Sequence, residues 1–194
     1  SRLCFSKGEK IKVLLVEENE YQKLSILKEE LRSMCDVGKH SVHINDTQEE
    51  TWRIASSAFN ENSIHFLNNR KMKATPNLDR FLGQYTATIK PRADYHDFCV
   101  DSSAVLGAYG LRDCRDLDFL HLNDIGPLSS DIECHNDWAY HYSTPKDEII
   151  YNPSNHFYVH GAKFASLGTV RSMKQNRNEN KDIRDLKLMG APLQ

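Results

Sequence analysis

Cysteine is scarce and scattered in this chain. The five residues Cys4, Cys35, Cys99, Cys114 and Cys134 include no CxxC pair, so neither a zinc ribbon nor a disulfide framework fits the spacing. Reduced thiols in a cytoplasmic protein are the expectation. Long apolar runs are missing too. The longest, around residues 13–16, spans only a few positions, far short of the ~20 that cross a bilayer. The first ten residues lack the apolar stretch of a secretory signal and do not begin with Met, which reads as a trimmed or processed start. Charge of one sign is not in excess either. With 25 basic and 27 acidic residues the net charge is −2, giving no general pull toward nucleic acid or anionic membrane. No internal repeat or low-complexity tract is present. What is there, 194 residues of which 39% are hydrophobic, suffices for one domain with a sizeable core or two small ones.

Residues 11–16 predict a buried strand, and Leu24, Leu27, Leu31 and Met34 recur at the spacing of a helix over 21–34. Asp46 with Glu49 has the pattern of a capping box ahead of a helix reaching Phe59. Residues 64–67 predict a short strand, 68–76 a polar, basic loop, and 78–89 a helix that Gly83 weakens. The N-terminal third therefore alternates strand and helix. From residue 94 the texture changes. Residues 98–100 predict a strand, Asp101-Ser102-Ser103 a turn with N-cap chemistry, and 104–109 a short helix ended by Gly110. Asp116-Leu117-Asp118-Phe119-Leu120 predicts a strand with both aspartates on one face, about 7 Å apart. Residues 132–134, 148–151 and 156–159 predict further strands, and helices around 170–175 and 181–189 close the chain.

A strand, a small-residue turn, a short helix and a strand with two carboxylates form one connected unit. The helix start at Ser102 and Ser103 offers free N–H groups and partial positive charge, suited to a phosphate. Asp116 and Asp118 can converge on a hard cation such as magnesium. Such an ion neutralises a di- or triphosphate and polarises the phosphorus under attack.

The run Val100-Asp101-Ser102-Ser103-Ala104-Val105-Leu106-Gly107-Ala108-Tyr109-Gly110-Leu111-Arg112, then Asp116-Leu117-Asp118-Phe119-Leu120, resembles the signature of the DNA polymerase beta nucleotidyltransferase superfamily. It is nearest the branch of abortive-infection toxin nucleotidyltransferases. Arg177-x-x-x-Lys181-Asp182-x-x-Asp185-Leu186 is similar to that branch's C-terminal helix. The resemblance implies an α/β (α+β) fold, a mixed sheet with flanking helices. Residues 94–194 become a nucleotidyltransferase-like domain and 1–93 an N-terminal α/β segment, or the two form one continuous domain. Magnesium (or manganese) is then held by Asp116 and Asp118 with a third acid. Glu133 and Glu148 both sit in predicted strands, and Glu133 is preferred as the nearer. Ser102 and Ser103 would cradle the terminal phosphates, and Arg112 or Lys163 would offset their charge. The donor would be a nucleoside triphosphate, or else a sugar nucleotide or cytidine-diphosphate alcohol; the acceptor stays open. Glu133-Cys134-His135-Asn136, Asn152-Pro153 and the stretch from His156-Phe157-Tyr158 to Lys163-Phe164 resemble proteins of surface-polysaccharide gene clusters, which keeps a glycan acceptor in view.

The chain departs from the pattern in two places. Asp101 and Ser102 stand where the family has glycine, and the lysine two helical turns before the C-terminal motif has no counterpart; Lys163 lies 14 residues before Arg177. A catalytically silent binding module is therefore an alternative. Plain readings also exist for single residues. Arg112 would pair with Asp116 or Asp118 at the surface, Lys163 would be an ordinary helix-start or strand-end lysine, and Arg177, Lys181 and Asp182 would form a solvated helical face. His135, His141, His156 and His160 read as structural or surface histidines. Only His156 and His160 are four apart, on a strand-like rather than helical stretch. Cys99 and Cys114 flank the site with no base to activate them.

Overall fold

The computed structural model describes residues 12–35 and 37–190, and the chain divides into two compact units, Ser1–Ala58 and Phe59–Gln194. Residues 59–93 therefore lie with the sheet-bearing part of the chain. The first unit carries α1 (Tyr21–Ser33) and α2 (Gln48–Ala58). Of the strand expected at 11–16, Ile11 lies outside the described residues and 12–16 form no strand. Leu14 is 83% and Leu15 68% exposed there, without the ladder partner a buried strand requires. The cap of α2 sits one residue later than expected. The Glu50 N–H donates to Thr47 Oγ1 at 3.1 Å, and Glu50 Oε2 accepts from the Asp46 N–H at 3.0 Å. No described residue of this unit is buried.

The second unit is built on a five-stranded mixed sheet in the order β3-β2-β1-β5-β4. Its strands are β1 (Phe98–Val100), β2 (Leu117–His121), β3 (Ile132–Cys134), β4 (His156–Val159) and β5 (Ala162–Ala165). β1 runs antiparallel to β2 and parallel to β5; β2 is parallel to β3, and β4 antiparallel to β5. The flanking helices are α3 (Glu61–Asn69), α4 (Pro76–Ile89), α5 (Ser102–Ala108), α6 (Lys146–Tyr151), α7 (Leu167–Arg177) and α8 (Asn180–Met189). This is the mixed α/β (α+β) architecture that the residue pattern implied. β1, β2 and β5 are buried along their whole length, as strands covered on both faces must be. α4 turns Leu78, Phe81, Leu82, Tyr85 and Ile89 inward. The Tyr85 ring meets Phe98 and Phe119 at 6.3 and 5.8 Å, and burying each such side chain contributes about 1.5–3 kcal/mol.

Three elements differ from expectation, each for a local reason. Residues 64–67 belong to α3, not to a strand: Asn60 Oδ1 accepts from the Ser63 N–H at 2.8 Å and caps a helix, which outweighs a four-residue apolar run. Residues 148–151 belong to α6, which begins after Pro145 with Asp147 and Glu148 in its first turn, where acidic side chains favour the positive helix end. β5 was not anticipated. His160 and Gly161 both take positive φ, 50° and 83°, the pattern of a two-residue hairpin turn, and return 162–165 onto β4. Gly110 ends α5 as expected, at φ 64°, and a Cβ there would collide with the Lys71 carbonyl oxygen.

Cys35, Cys99, Cys114 and Cys134 are free thiols; Cys4 lies outside the described residues. Burial raises the Cys99 thiol and pushes Cys114 up to about 12, so both are inert as nucleophiles near neutral pH. No helix among the described residues is long and apolar enough to cross a membrane.

Candidate metal centre

Strand register brings the acids together. Val100 pairs with Phe119 across the antiparallel β1–β2 seam, and the next residue, Asp101, donates its N–H to the Asp118 carbonyl at 2.9 Å. On the other side of β2, Asp118 pairs with Glu133 of β3, and the His135 N–H donates to the Phe119 carbonyl at 2.7 Å. Asp101, Asp118 and the end of β3 thus occupy neighbouring strands, about 4.8 Å apart. Ligand atoms of Asp101, Asp118 and His135 lie within 4.8 Å of one another. His135 Nε2 is 3.4 Å from Asp118 Oδ1, and its Nδ1 is 3.8 Å from Asp101 Oδ1. A buried Asp-Asp-His group of this kind is able to bind a metal ion.

Burial dominates the electrostatics. Asp101 is 1% exposed; the Tyr142 hydroxyl donates to its Oδ2 at 2.6 Å, and its Oδ1 has no hydrogen-bond partner. Burial raises the Asp101 carboxyl above its ordinary range, against the pull of His135, Tyr142, Lys174 and Arg177. Asp118 is pushed up to about 8, first by burial and then by the charges of Asp101 and Asp116, with the Ser102 hydrogen bond opposing. Both shifts favour the protonated carboxyl over the carboxylate.

Ser102 sits at φ 52°, a left-handed conformation that costs a residue with a Cβ roughly 1 kcal/mol or more. It occupies this conformation where the resembled pattern has glycine. Its hydroxyl works to lower the Asp118 carboxyl, against burial and the neighbouring charges. The neighbouring Ser103 Oγ is buried and has no hydrogen-bond partner.

Of the residues singled out from the sequence, Asp118 lies at the centre of this group. Asp116 is exposed, one residue ahead of β2, and Glu133 is exposed on β3 opposite Asp118; both are close enough to raise the Asp118 carboxyl. Glu148 lies in α6 rather than on a strand, and Asn152 Nδ2 donates to its Oε2 at 3.0 Å. The cations assigned to the phosphates are engaged elsewhere. Arg112 forks onto Asp185 of α8 at 2.6 and 2.8 Å and donates to the Asp113 carbonyl at 2.9 Å. It pairs with neither Asp116 nor Asp118, because buried Asp185 presents the carboxylate geometry a guanidinium fork fits. Lys163 lies inside β5, its Nζ donating to the carbonyls of His96 at 2.7 Å and Ile150 at 2.6 Å.

The C-terminal motif is an ion-pair network rather than a solvated face. Lys174 Nζ, 1% exposed, is 3.2 Å from Asp182 and 2.8 Å from Asp185, and Arg177 forks onto Asp182 at 2.9 and 2.7 Å. Burial works against the Asp182 charge, yet Arg177, the Glu179 N–H and Lys174 together bring it down to about 2. Lys181 instead pairs with Glu179 at the surface, at 3.0 Å. His156 is structural: its Nδ1 meets the Ile149 carbonyl at 3.0 Å, and burial lowers it to about 4.

His135, Tyr142 and the buried role of Asp101 were not legible as site features. The signals for them were positional: Asp101 directly follows β1, and His135 directly follows β3. A cavity of about 430 Å³ lies apart from these acids, lined among others by His65, Lys71, Tyr109, Leu167, Arg171 and Met189, with no carboxylate in its wall. Comparisons with protein-family models, with curated proteins and with solved structures give no match.

Proposed function

We propose that the chain is a divalent-metal-dependent nucleotidyltransferase, moving a nucleotidyl group from a nucleoside triphosphate to an acceptor hydroxyl or phosphate. One observation carries this reading. Asp118 has Glu133 in register beside it on β3 and Asp116 two residues before it, just ahead of β2, and the charges of both bear on its carboxyl. The donor set fits a hard cation, since all three offer oxygen. Asp116, Asp118 and Glu133 would hold magnesium or manganese. When bound, the ion supplies charge neutralisation for the phosphates and the departing pyrophosphate.

The chain's own residues bind and orient. Ser103 has a hydroxyl free for a terminal phosphate oxygen, and the left-handed backbone at Ser102 turns the chain so that both serines open α5. The nucleotide donor suits a cytoplasmic location. Magnesium-dependent triphosphate binding, followed by thermal shift, tests the proposal. At about 100 times its dissociation constant a ligand adds roughly 2.7 kcal/mol of stability. The double variant Asp116→Asn/Asp118→Asn should lose that gain, and a gain that survives sinks the site assignment. Stabilisation by a sugar nucleotide alone would move the chemistry to glycosyl transfer.

A second reading, a binding module without transfer activity, is favoured by the engagement of Arg112 with Asp185 and of Lys163 with two carbonyls. Neither is placed to offset triphosphate charge. Calorimetric silence toward every nucleotide tried with magnesium would select it.

A further inference from the structure

We infer that Asp101, Asp118 and His135 form a second, inner metal site that takes a first-row transition ion in preference to magnesium. The proposal goes beyond the nucleotide site and shares only Asp118 with it. Its first support is an orphaned atom. Asp101 is 1% exposed, and its Oδ1 has no hydrogen-bond partner, while its Oδ2 is held by Tyr142 at 2.6 Å. A buried carboxylate oxygen left without a donor is costly. No described basic side chain pairs with it directly apart from His135, at 3.8 Å, because Lys174 is held between Asp182 and Asp185, and Arg177 forks onto Asp182.

The second support is the spacing of the donors. Two ligands on one ion, each at about 2.0–2.2 Å, are separated by roughly 3–3.5 Å. Asp118 Oδ1 and His135 Nε2 stand 3.4 Å apart, and all three ligand atoms fit within 4.8 Å. Two carboxylates and a neutral imidazole around a divalent ion leave no net charge in the pocket, which suits its burial. Tyr142 then has the role of an outer hydrogen-bond donor that fixes a ligating carboxylate.

The third support is the nitrogen donor, which selects the ion. Magnesium and manganese favour oxygen ligands, whereas imidazole suits iron, nickel, copper and zinc. Three protein ligands leave at least one position open for water or substrate, as in a catalytic rather than a closed structural site.

Cobalt(II) titration of the full chain, read by calorimetry and by the visible spectrum, tests the assignment. The wild-type chain should bind one tight equivalent with nitrogen in the coordination sphere, undisturbed by a roughly thousandfold excess of magnesium. His135→Ala should weaken binding at least about 100-fold, and Tyr142→Phe about 10- to 100-fold. His135 has 19% of its side chain exposed, so its removal is compatible with folding, which circular dichroism checks; the wild-type spectrum needs no variant at all. Asp116→Asn/Glu133→Gln should leave cobalt affinity within about threefold while abolishing magnesium-dependent triphosphate binding, which separates this site from the nucleotide site. The inference is overturned if His135→Ala binds cobalt as tightly as wild type, if the cobalt spectrum shows oxygen ligands only, or if Asp116→Asn/Glu133→Gln removes the tight equivalent.

Discussion

Residues 12–58 and residues 59–190 use apolar side chains at the same helical spacing with opposite results. Along α1, Leu27, Leu31 and Met34 remain 43%, 39% and 80% exposed. Along α4, Leu78, Phe81, Leu82, Tyr85 and Ile89 are 6% exposed or less. The α1 stripe was read from the sequence, 78–89 was expected as a helix that Gly83 weakens, and both helices form. The difference is the opposing layer: α4 has a sheet to lie on, and Tyr85 finds Phe98 and Phe119 across the seam. Periodicity specifies which face of a helix is apolar; burial requires a second element to close over it.

The two tryptophans allow the contrast to be broken or sharpened by experiment, because Trp52 lies in α2 and Trp138 follows β3. The largest effect is expected from Phe119→Ala, at a position fully buried against Tyr85 and Phe98. It should cost about 3–5 kcal/mol in denaturant titrations followed by Trp138 in a Trp52→Phe background. An equal loss reported by Trp52 in the complementary Trp138→Phe background would break the contrast.

The next effect is a pH dependence confined to the second unit. Asp118 has a folded-state value near 8 against about 3.9 unfolded, so its contribution is fully present below about pH 4 and is lost as pH rises through 8. His156, lowered to about 4 from 6.5 unfolded, acts oppositely, and its effect is complete above about pH 6.5. Between pH 6.5 and 8 the metal-free chain should therefore lose about 1–2 kcal/mol. Asp118→Asn, or a saturating divalent ion in the proton's place, should flatten that slope; an unchanged slope in Asp118→Asn would show that the buried pair is not its source.

The smallest effect belongs to the first unit. Leu27→Ala should change stability by no more than about 0.5 kcal/mol in the same titrations, and a loss of several kcal/mol would mean that the α1 stripe is packed as firmly as that of α4.

The legibility of the fold follows the same logic. Phe98 to Val100, followed by the Asp101 turn, and the short helix ended by Gly110 carried both an apolar pattern and a boundary residue; these, Ile132 to Cys134, His156 to Val159 and the two closing helices formed where expected. The strands expected at 64–67 and 148–151 rested on apolar runs alone, and Asn60 and the Pro145-Lys146-Asp147-Glu148 start decided for helix. The run at 12–16 had a pattern but no partner strand. Within the site, Asp118 was legible because alternation along one strand is a local property. His135 and Asp101 were not, since their meeting depends on which strands become neighbours. Arg112 and Lys163 were assigned through the resemblance, and a motif does not say that Asp185 or a pair of carbonyls will reach them first.

The sheet order also sets a sequence of events. The acid-bearing half, β3-β2-β1, is drawn from residues 98–134, whereas its link to the far half joins Val100 to Phe164. Closing short loops costs less chain entropy than closing long ones, and a nascent chain presents its N-terminal residues first. Asp101 and Asp118 can therefore meet while Lys174 and Arg177 are still inside the ribosome. The meeting of the two acids is thus drawn from chain already made, whereas the Tyr142 hydroxyl that holds Asp101 and the Lys174–Asp182 and Arg177–Asp182 pairs must wait for later residues.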